Sequence, residues 1–388
     1  MKILFLSFYF EPDLCAGSFR NSSLFKELLP IIKTEDQLDV ITTHPNRYDS
    51  YKVKAKSLEN PSSNVTINRI EIPSHGGGIF GQIKSFKKFY FEAKKIAKKE
   101  KYDLVYASSS RLFTACLGAK IARIHKAKLY LDIRDIFRET IVDVYSNSII
   151  KTVLNTILVP IENYTFGRAN HINLVSEGFK PYFDKYKKNY TFFTNGIDSI
   201  FLNPKKIEYV QNEKRKTIFY GGNIGESQGL HIIIPEAAEK LKDKFDFLIV
   251  GDGAVKDKLE KEVKERGLKN VSLLPPVNRD TLIEYYQKTD YLFLHLNKQK
   301  AFERVLPSKI FEYGAFNKPV IAGVSGFSKL FLEDNLKNVI TFQPGEVEEF
   351  ISKLESKPYE NIERKEFKEK FSREKINKEM AKSILSLL

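Results

Sequence analysis

Short apolar runs alternate with amphipathic stretches along this chain. Ile3–Phe10 is almost wholly apolar and too short for a core helix. A Gly-containing loop follows, Cys15–Ala16–Gly17–Ser18, and Phe19–Leu29 carries helical periodicity. Further short strands are predicted at Leu38–Thr43, Thr66–Ile72, Leu104–Ser108, Lys128–Ile133 and His171–Ser176. The second half repeats the theme. Thr217–Tyr220, Phe245–Val250, Val271–Leu274, Tyr291–Leu294 and Pro319–Ala322 read as strands. Leu230–Lys242, Ala254–Glu265, Arg279–Thr289 and Lys309–Phe316 read as the helices between them. Apolar strands alternating with helices form parallel sheets buried on both faces. The predicted fold class is therefore α/β, with two Rossmann-like, doubly wound domains.

The joint falls between Tyr190 and Lys216. Asn195–Gly196–Ile197–Asp198 is turn chemistry, and a polar stretch, Lys205–Lys216, comes after Pro204. The boundary is set at residues 1–195 and 196–388. Asn361–Leu388 is charged and helical, and its end, Ile376–Leu388, suits packing on either domain.

Length agrees with this division, since 388 residues correspond to about two domains. Apolar residues at 42% and aromatics at 13% exclude general disorder. No uncharged apolar run reaches the ~18 residues of a membrane span. Cys15 and Cys116 support neither a disulfide scaffold nor a zinc site. No signal peptide is read at the N-terminus, so a reducing cytoplasm is expected. Charge adds an asymmetry. Residues 1–190 hold 30 basic and 19 acidic residues, net +11, against +3 for the remainder. The first half is suited to anionic lipid, a lipid phosphate or nucleic acid.

The densest chemistry lies in Leu306–Pro307–Ser308–Lys309–Ile310–Phe311–Glu312–Tyr313. Pro307 suits the first position of a helix. Free N–H groups in the first turn bind anions, and Lys309 adds a charge there. Glu312 shares a helix face with Ser308 and can accept two hydrogen bonds from a ribose diol. Phosphates at the helix end and a ribose one turn in describe a nucleoside diphosphate. A plain capped helix with solvated Lys and Glu has the same spacing.

Other positions are less specific. Gly222–Asn223–Ile224–Gly225 joins a strand to a helix, where glycine admits a phosphate or merely a tight turn. It is not an ordinary dinucleotide fingerprint. Gly251–Asp252–Gly253 is likewise a turn after a buried strand. Asp132, Arg134 and Asp135 cluster at a strand end, where open sheets bind ligands; a surface Arg–Asp pair is the alternative. His75 lies in a Gly-rich loop, Pro73–Gly78, as a candidate acceptor-lid residue. Ile83–Lys99 sets Phe86, Tyr90, Ala93 and Ala97 against seven lysines, which fits a membrane-surface helix or an ordinary solvated one. Ser148–Ile161 is strongly apolar but too short to span a bilayer. It suits one leaflet or the core.

Five stretches together resemble the family-4 retaining glycosyltransferases of GT-B fold. They are "SFYFEPDLCAGSFR", "FFTNGID", "IFYGGNIGESQGLHIIIPEAA", "FLIVGDG" and "LPSKIFEYGAFNKPVIAG", in family order through both halves. The resemblance is closest to the bacterial branch building O-antigen, capsule and exopolysaccharide, some members of which add N-acetylfucosamine. It implies two domains facing across a cleft, acceptor in residues 1–195 and donor in residues 196–388. It implies retention at the anomeric carbon, a nucleotide-sugar (UDP-linked) donor, no cofactor and no required metal. Glu312 takes the donor ribose, and Gly17 lies near the donor phosphates. Gly222, Asn223, Gly251, Gly253, Pro307 and Ser308 line the donor site. Lys309, with Arg304 in support, faces the leaving diphosphate. Many members have a Glu eight residues before Glu312; here that position is Arg304, with Glu303 beside it. Asp132 or Asp135 orients an acceptor hydroxyl, with Arg134 and His75 as acceptor contacts. The expected acceptor is a polyprenyl-diphosphate-linked or other glycan, met at the anionic inner face of the cell membrane. Two alternatives stay open, a sugar-nucleotide 2-epimerase of the same layout and a basic nucleic-acid-binding protein. The second lacks any recognised module.

Overall fold

The computed structural model describes residues 1–46, 53–73, 79–109, 112–144, 147–205, 207 and 215–388. The chain divides into two units, residues 1–195 with 373–388, and residues 196–372.

The first unit is built on strands β1 (Lys2–Leu6), β2 (Gln37–Thr43), β3 (Leu58–Ser62) and β4 (Val65–Ile70). Strands β5 (Leu104–Ser109), β6 (Lys128–Ile133), β7 (His171–Leu174) and β8 (Asn189–Thr191) complete the sheet. Their order is β3-β4-β2-β1-β5-β6-β7-β8. Every pair is parallel except β3 with β4. β1 is central and buried on both faces, which is why its apolar run does not alternate. Helices α1 (Ala16–Leu28), α2 (Ile79–Ala97) and α3 (Leu112–His125) connect the strands. So do α4 (Phe137–Val144), α5 (Ser148–Gly167) and the short α6 (Lys180–Phe183).

The second unit has six parallel strands. They are β9 (Lys216–Asn223), β10 (Phe245–Asp252), β11 (Val271–Leu274), β12 (Tyr291–His295), β13 (Val320–Gly323) and β14 (Val339–Phe342), in the order β11-β10-β9-β12-β13-β14. After α7 (Ser199–Leu202), the crossover helices are α8 (Leu230–Lys240), α9 (Lys256–Glu265) and α10 (Arg279–Gln287). Helices α11 (Lys309–Gly314), α12 (Gly326–Asn335) and α13 (Val347–Ser356) follow, then α14 (Lys365–Lys370). Strand order reverses between β1 and β5 in one unit and between β9 and β12 in the other. Those switch points are where open α/β sheets place ligands.

The last helix, α15 (Arg373–Leu385), belongs to the first unit. Met380, Ala381 and Ile384 are fully buried in the core formed by Ile3, Phe5, Leu24 and Leu28. Among the described residues, no helix is long and apolar enough to cross a membrane.

Three strands were not expected from the pattern. β3 (LENPS) is an exposed antiparallel edge, and β8 has three residues at the other edge. Neither needs an apolar face. β14 has only four residues. The two ambiguous amphipathic stretches also resolve. On α2, Phe89, Ala93 and Ala97 turn inward while Lys84, Lys87, Lys88 and Lys95 are exposed. On α5, Leu158 and Phe166 are core but Ile149, Ile150, Val153 and Ile157 are exposed.

Candidate functional site

In the second unit the site grows from the ends of β9 and β10. Gly222 lies opposite Gly251 in the parallel register, and Asn223 opposite Asp252. Both glycines have positive φ, +148° and +156°. A Cβ on Gly251 would overlap the Gly222 carbonyl, and one on Gly222 would overlap the Lys309 ammonium. The two strands can end this way only with glycine at both positions. Gly253 crowds the Ile224 carbonyl in the same manner, and its N–H donates to Asp252 Oδ1 (2.8 Å).

The loop after β9 is braced from several sides. Asn223 Nδ2 donates to Gln228 Oε1 (2.8 Å), and Tyr220 Oη donates to the Asn223 carbonyl (2.6 Å). His295, at the end of β12, donates from Nδ1 to the Gln228 carbonyl (2.6 Å). Its Nε2 accepts the Gly345 N–H (2.9 Å). Those partners require a neutral ring, and burial pushes the imidazole down to about 4.

Lys309 reaches this loop from the start of α11. Its ammonium is beside Gly222 and 5.4 Å from the centre of the Tyr220 ring. Desolvation lowers its pKa, and Glu312 one turn on opposes that shift. Glu312 is half-buried, and its Oε2 accepts the Tyr286 hydroxyl (3.0 Å). Pro307 and Ser308 are half-buried at the helix entrance. The entrance differs from the expected open first turn. Ile310 and Phe311 already donate to the carbonyls of Pro307 and Ser308 in a tight turn, as does Glu312 to Ser308. With those N–H groups engaged, the Lys309 ammonium is the cationic group beside Gly222 at this entrance. Arg304 is half-buried in the 3-10 turn Lys300–Arg304, and Glu303 is exposed.

Two residues that position this site were not singled out from the sequence. Tyr286 on α10 is fully buried and had the spacing of a core aromatic. Arg364 is buried without a carboxylate among its hydrogen-bond partners, which lowers its pKa to about 10. It donates to the carbonyls of Lys318 (2.8 Å), Lys337 (3.0 Å) and Phe316, gathering the chain at the carboxyl end of α11. A cation there complements the helix dipole.

In the first unit, Gly17 opens α1 close to the Arg134 guanidinium; a Cβ on it would lie 2.6 Å from an Arg134 terminal nitrogen. Asp132 corrects an expectation. It does not face an acceptor but is fully buried and paired with Arg20 through Nε (2.8 Å) and a terminal nitrogen (2.9 Å). Asn173 (2.8 Å) and Tyr106 (3.2 Å) also donate to it. Both of its oxygens are occupied, so it holds β6 to α1 and β7. Arg20, the missed partner, also donates to the carbonyls of Phe193 (2.8 Å) and Thr194 (2.6 Å). Asp135 is the exposed member of the cluster. The protein around it nevertheless raises its carboxyl to about 6, while Arg134 pulls the other way. His75 lies outside the described residues, as does part of the Lys205–Lys216 stretch.

Residues 203–374 match the family described as "Glycosyl transferases group 1". The match identifies a glycosyltransferase region at residues 203–374, and the fold of the chain is GT-B. Among curated proteins, the chain is similar to the putative colanic acid biosynthesis glycosyl transferase WcaI of Escherichia coli, 42% identical over 99 residues. That alignment covers 25% of this chain and 24% of the relative. An uncharacterized glycosyltransferase of Methanocaldococcus jannaschii is 25% identical over 97% of this chain and 95% of its own. Among solved structures, Anabaena HepE in complex with UDP has a TM-score of 0.66 at 16% identity, with all of both chains covered. The lipopolysaccharide outer core galactosyltransferase WaaB has a TM-score of 0.62 at 14% identity, also over all of both chains. At those identities the likeness concerns the fold.

Proposed function

We propose that this chain transfers a sugar, with retention, from a UDP-linked donor to a lipid-linked or other glycan acceptor in bacterial surface polysaccharide synthesis. The observation that carries the reading is the Lys309 ammonium held against Gly222 with Glu312 one turn away on Tyr286. A diphosphate over the end of β9 meets that ammonium, and its ribose meets Glu312. Asn223, Gly251 and Gly253 shape the wall, with Pro307 and Ser308 at the entrance. As the bond from the anomeric carbon to the diphosphate oxygen breaks, charge grows on the leaving group. Lys309 stabilises that charge, supported by Arg304. Asp135 orients the acceptor hydroxyl and Arg134 draws its phosphate.

Two relatives support the donor and the setting. HepE was solved with UDP and with UDP-glucose, and WcaI carries a colanic acid assignment. The excess of +11 on the first half suits an enzyme peripheral on the anionic inner face of the membrane. The test is a thermal-shift screen of nucleoside diphosphates, then turnover of the stabilising donor on lipid-linked acceptors. Stabilisation by UDP above ADP and GDP is expected; no response to any of them would overturn the reading.

A further inference from the structure

The apolar stripe at the start of α5 has no function in the site above. Asn147 caps the helix by accepting from the N–H groups of Ile149 (2.8 Å) and Ile150 (3.3 Å), so its first turn is well formed. Ile149, Val153 and Ile157 recur every four residues on one face, with Ile150 beside them. Their exposures are 72%, 52%, 55% and 41%. A stripe of four large aliphatics is a feature that soluble surfaces avoid. Thr152 and Thr156 lie next to it, and the only charge from Asn147 to Ile157 is Lys151.

Its surroundings decide what covers it. α5 packs on α3, and α3 packs on α2. On the described parts of those three helices the exposed charged residues are Lys84, Lys87, Lys88, Lys95, Lys120 and Arg123, all basic. Exposed aliphatic side chains on a unit whose neighbouring helices expose only cationic charges match an anionic bilayer, whose headgroups take the charge and whose acyl boundary takes the stripe. A second copy docking by the same patch would bring these cations together. Nucleic acid would leave the aliphatics without a partner.

We infer that the first three turns of α5 seat in the headgroup–acyl boundary of an anionic bilayer, and so hold the acceptor rim at the membrane. The coupling is structural. Asp135 lies two residues before the start of α4, and Arg138 on α4 clamps α5 through Asn155 Oδ1 (2.8 Å) and Glu162 Oε2 (2.9 Å). Lipid-bound α5 therefore fixes the segment carrying Asp135, and a lipid carrier in the same leaflet delivers its glycan there. This last step rests on the proposed lipid-linked acceptor; the docking does not.

The chain contains no tryptophan, so Val153→Trp introduces a single indole at the centre of the stripe. With full-length protein and phosphatidylglycerol/phosphatidylethanolamine vesicles, its emission should shift blue and be quenched by brominated acyl chains. Leu330→Trp, at an exposed position of α12, should stay water-like. The triple variant Ile149→Ser, Val153→Ser, Ile157→Ser should lower vesicle partition at least ~10-fold, since the contribution scales with buried apolar area. Its UDP-induced thermal shift should not change, and neither should turnover on a water-soluble acceptor. An unshifted indole at position 153, unchanged partition of the triple variant, or a stripe-dependent dimer or nucleic-acid complex would overturn the inference. Each of those results leaves UDP binding, and with it the glycosyltransferase reading, intact. Loss of UDP binding with normal insertion would instead remove that reading and leave the docking.

Discussion

Lys309 and Glu312 are one helical turn apart yet predict different kinetics. In the proposed site Glu312 touches what does not change during reaction, the donor ribose. Replacing it with Ala removes a charged hydrogen-bonding contact worth ~1.5–3 kcal/mol, so the UDP dissociation constant should rise roughly 10- to 150-fold by titration calorimetry. Unchanged affinity in a folded variant would reject the assignment. In the proposed reaction Lys309 faces charge that grows as the bond breaks, so Lys309→Ala should depress kcat more than it raises the donor KM. A pure KM effect would assign Lys309 to ground-state binding alone. As the proposed orienter of the acceptor hydroxyl, Asp135 supplies a pH dependence. Its carboxyl is raised to about 6, so the ionised form that accepts the hydroxyl's hydrogen bond is lost as pH falls through that value. kcat/KM should decline below pH 6, and Asp135→Asn should flatten that limb; an unchanged limb would place the titrating group elsewhere. The sequence made Lys309, Glu312 and the glycines legible because their neighbours in chain carry the pattern. It could not separate Asp132 from Asp135, because the residue that buries Asp132 is Arg20, 112 positions away.

His295 joins three segments of the second unit. From the end of β12 it holds the loop after β9 through Gln228 and the turn at Gly345. A second proton on the ring would point an N–H at the Gly345 N–H. The folded pKa of about 4 lies below the usual 6.5, so the unfolded chain binds more protons between those values. Stability should therefore fall as pH drops below 6.5, by up to ~1.4 kcal/mol per unit until about pH 4. Denaturant titrations from pH 7.5 to 4.5 would measure this, and His295→Asn should weaken the dependence. An equal slope in the variant would assign it to other groups. Legibility follows the same lines among the strands. β6 matches the expected range because it is an interior parallel strand, buried at all but its first residue. β11, an edge strand, matches only through the apolar character of Val271–Leu274. β3 and β8 escaped because edge strands face solvent, so no apolar periodicity is required of them.

The two units differ in how the chain builds them. Residues 196–372 are continuous, whereas the first unit is completed only by α15 after the chain has passed through the other unit. The charged character of Asn361–Leu388 hid this. Its apolar positions are few, and nothing in their spacing names a partner. In the structure Met380, Ala381 and Ile384 are fully buried against α1 and the first sheet, and Met380 Sδ lies 3.4 Å from a terminal nitrogen of Arg20. Removing the chain after Ser372 thus uncovers the core beside the Arg20–Asp132 pair. Losing the burial of Met380 and Ile384 alone is worth ~3–6 kcal/mol, a large share of a domain's net stability. In calorimetry the truncated chain should lose or strongly lower the transition of the first unit. The second unit should still melt cooperatively and, if it holds the proposed donor site, still be stabilised by UDP. A truncated protein with both transitions unmoved would mean that α15 is dispensable, whereas loss of the UDP response would mean that the second unit depends on it.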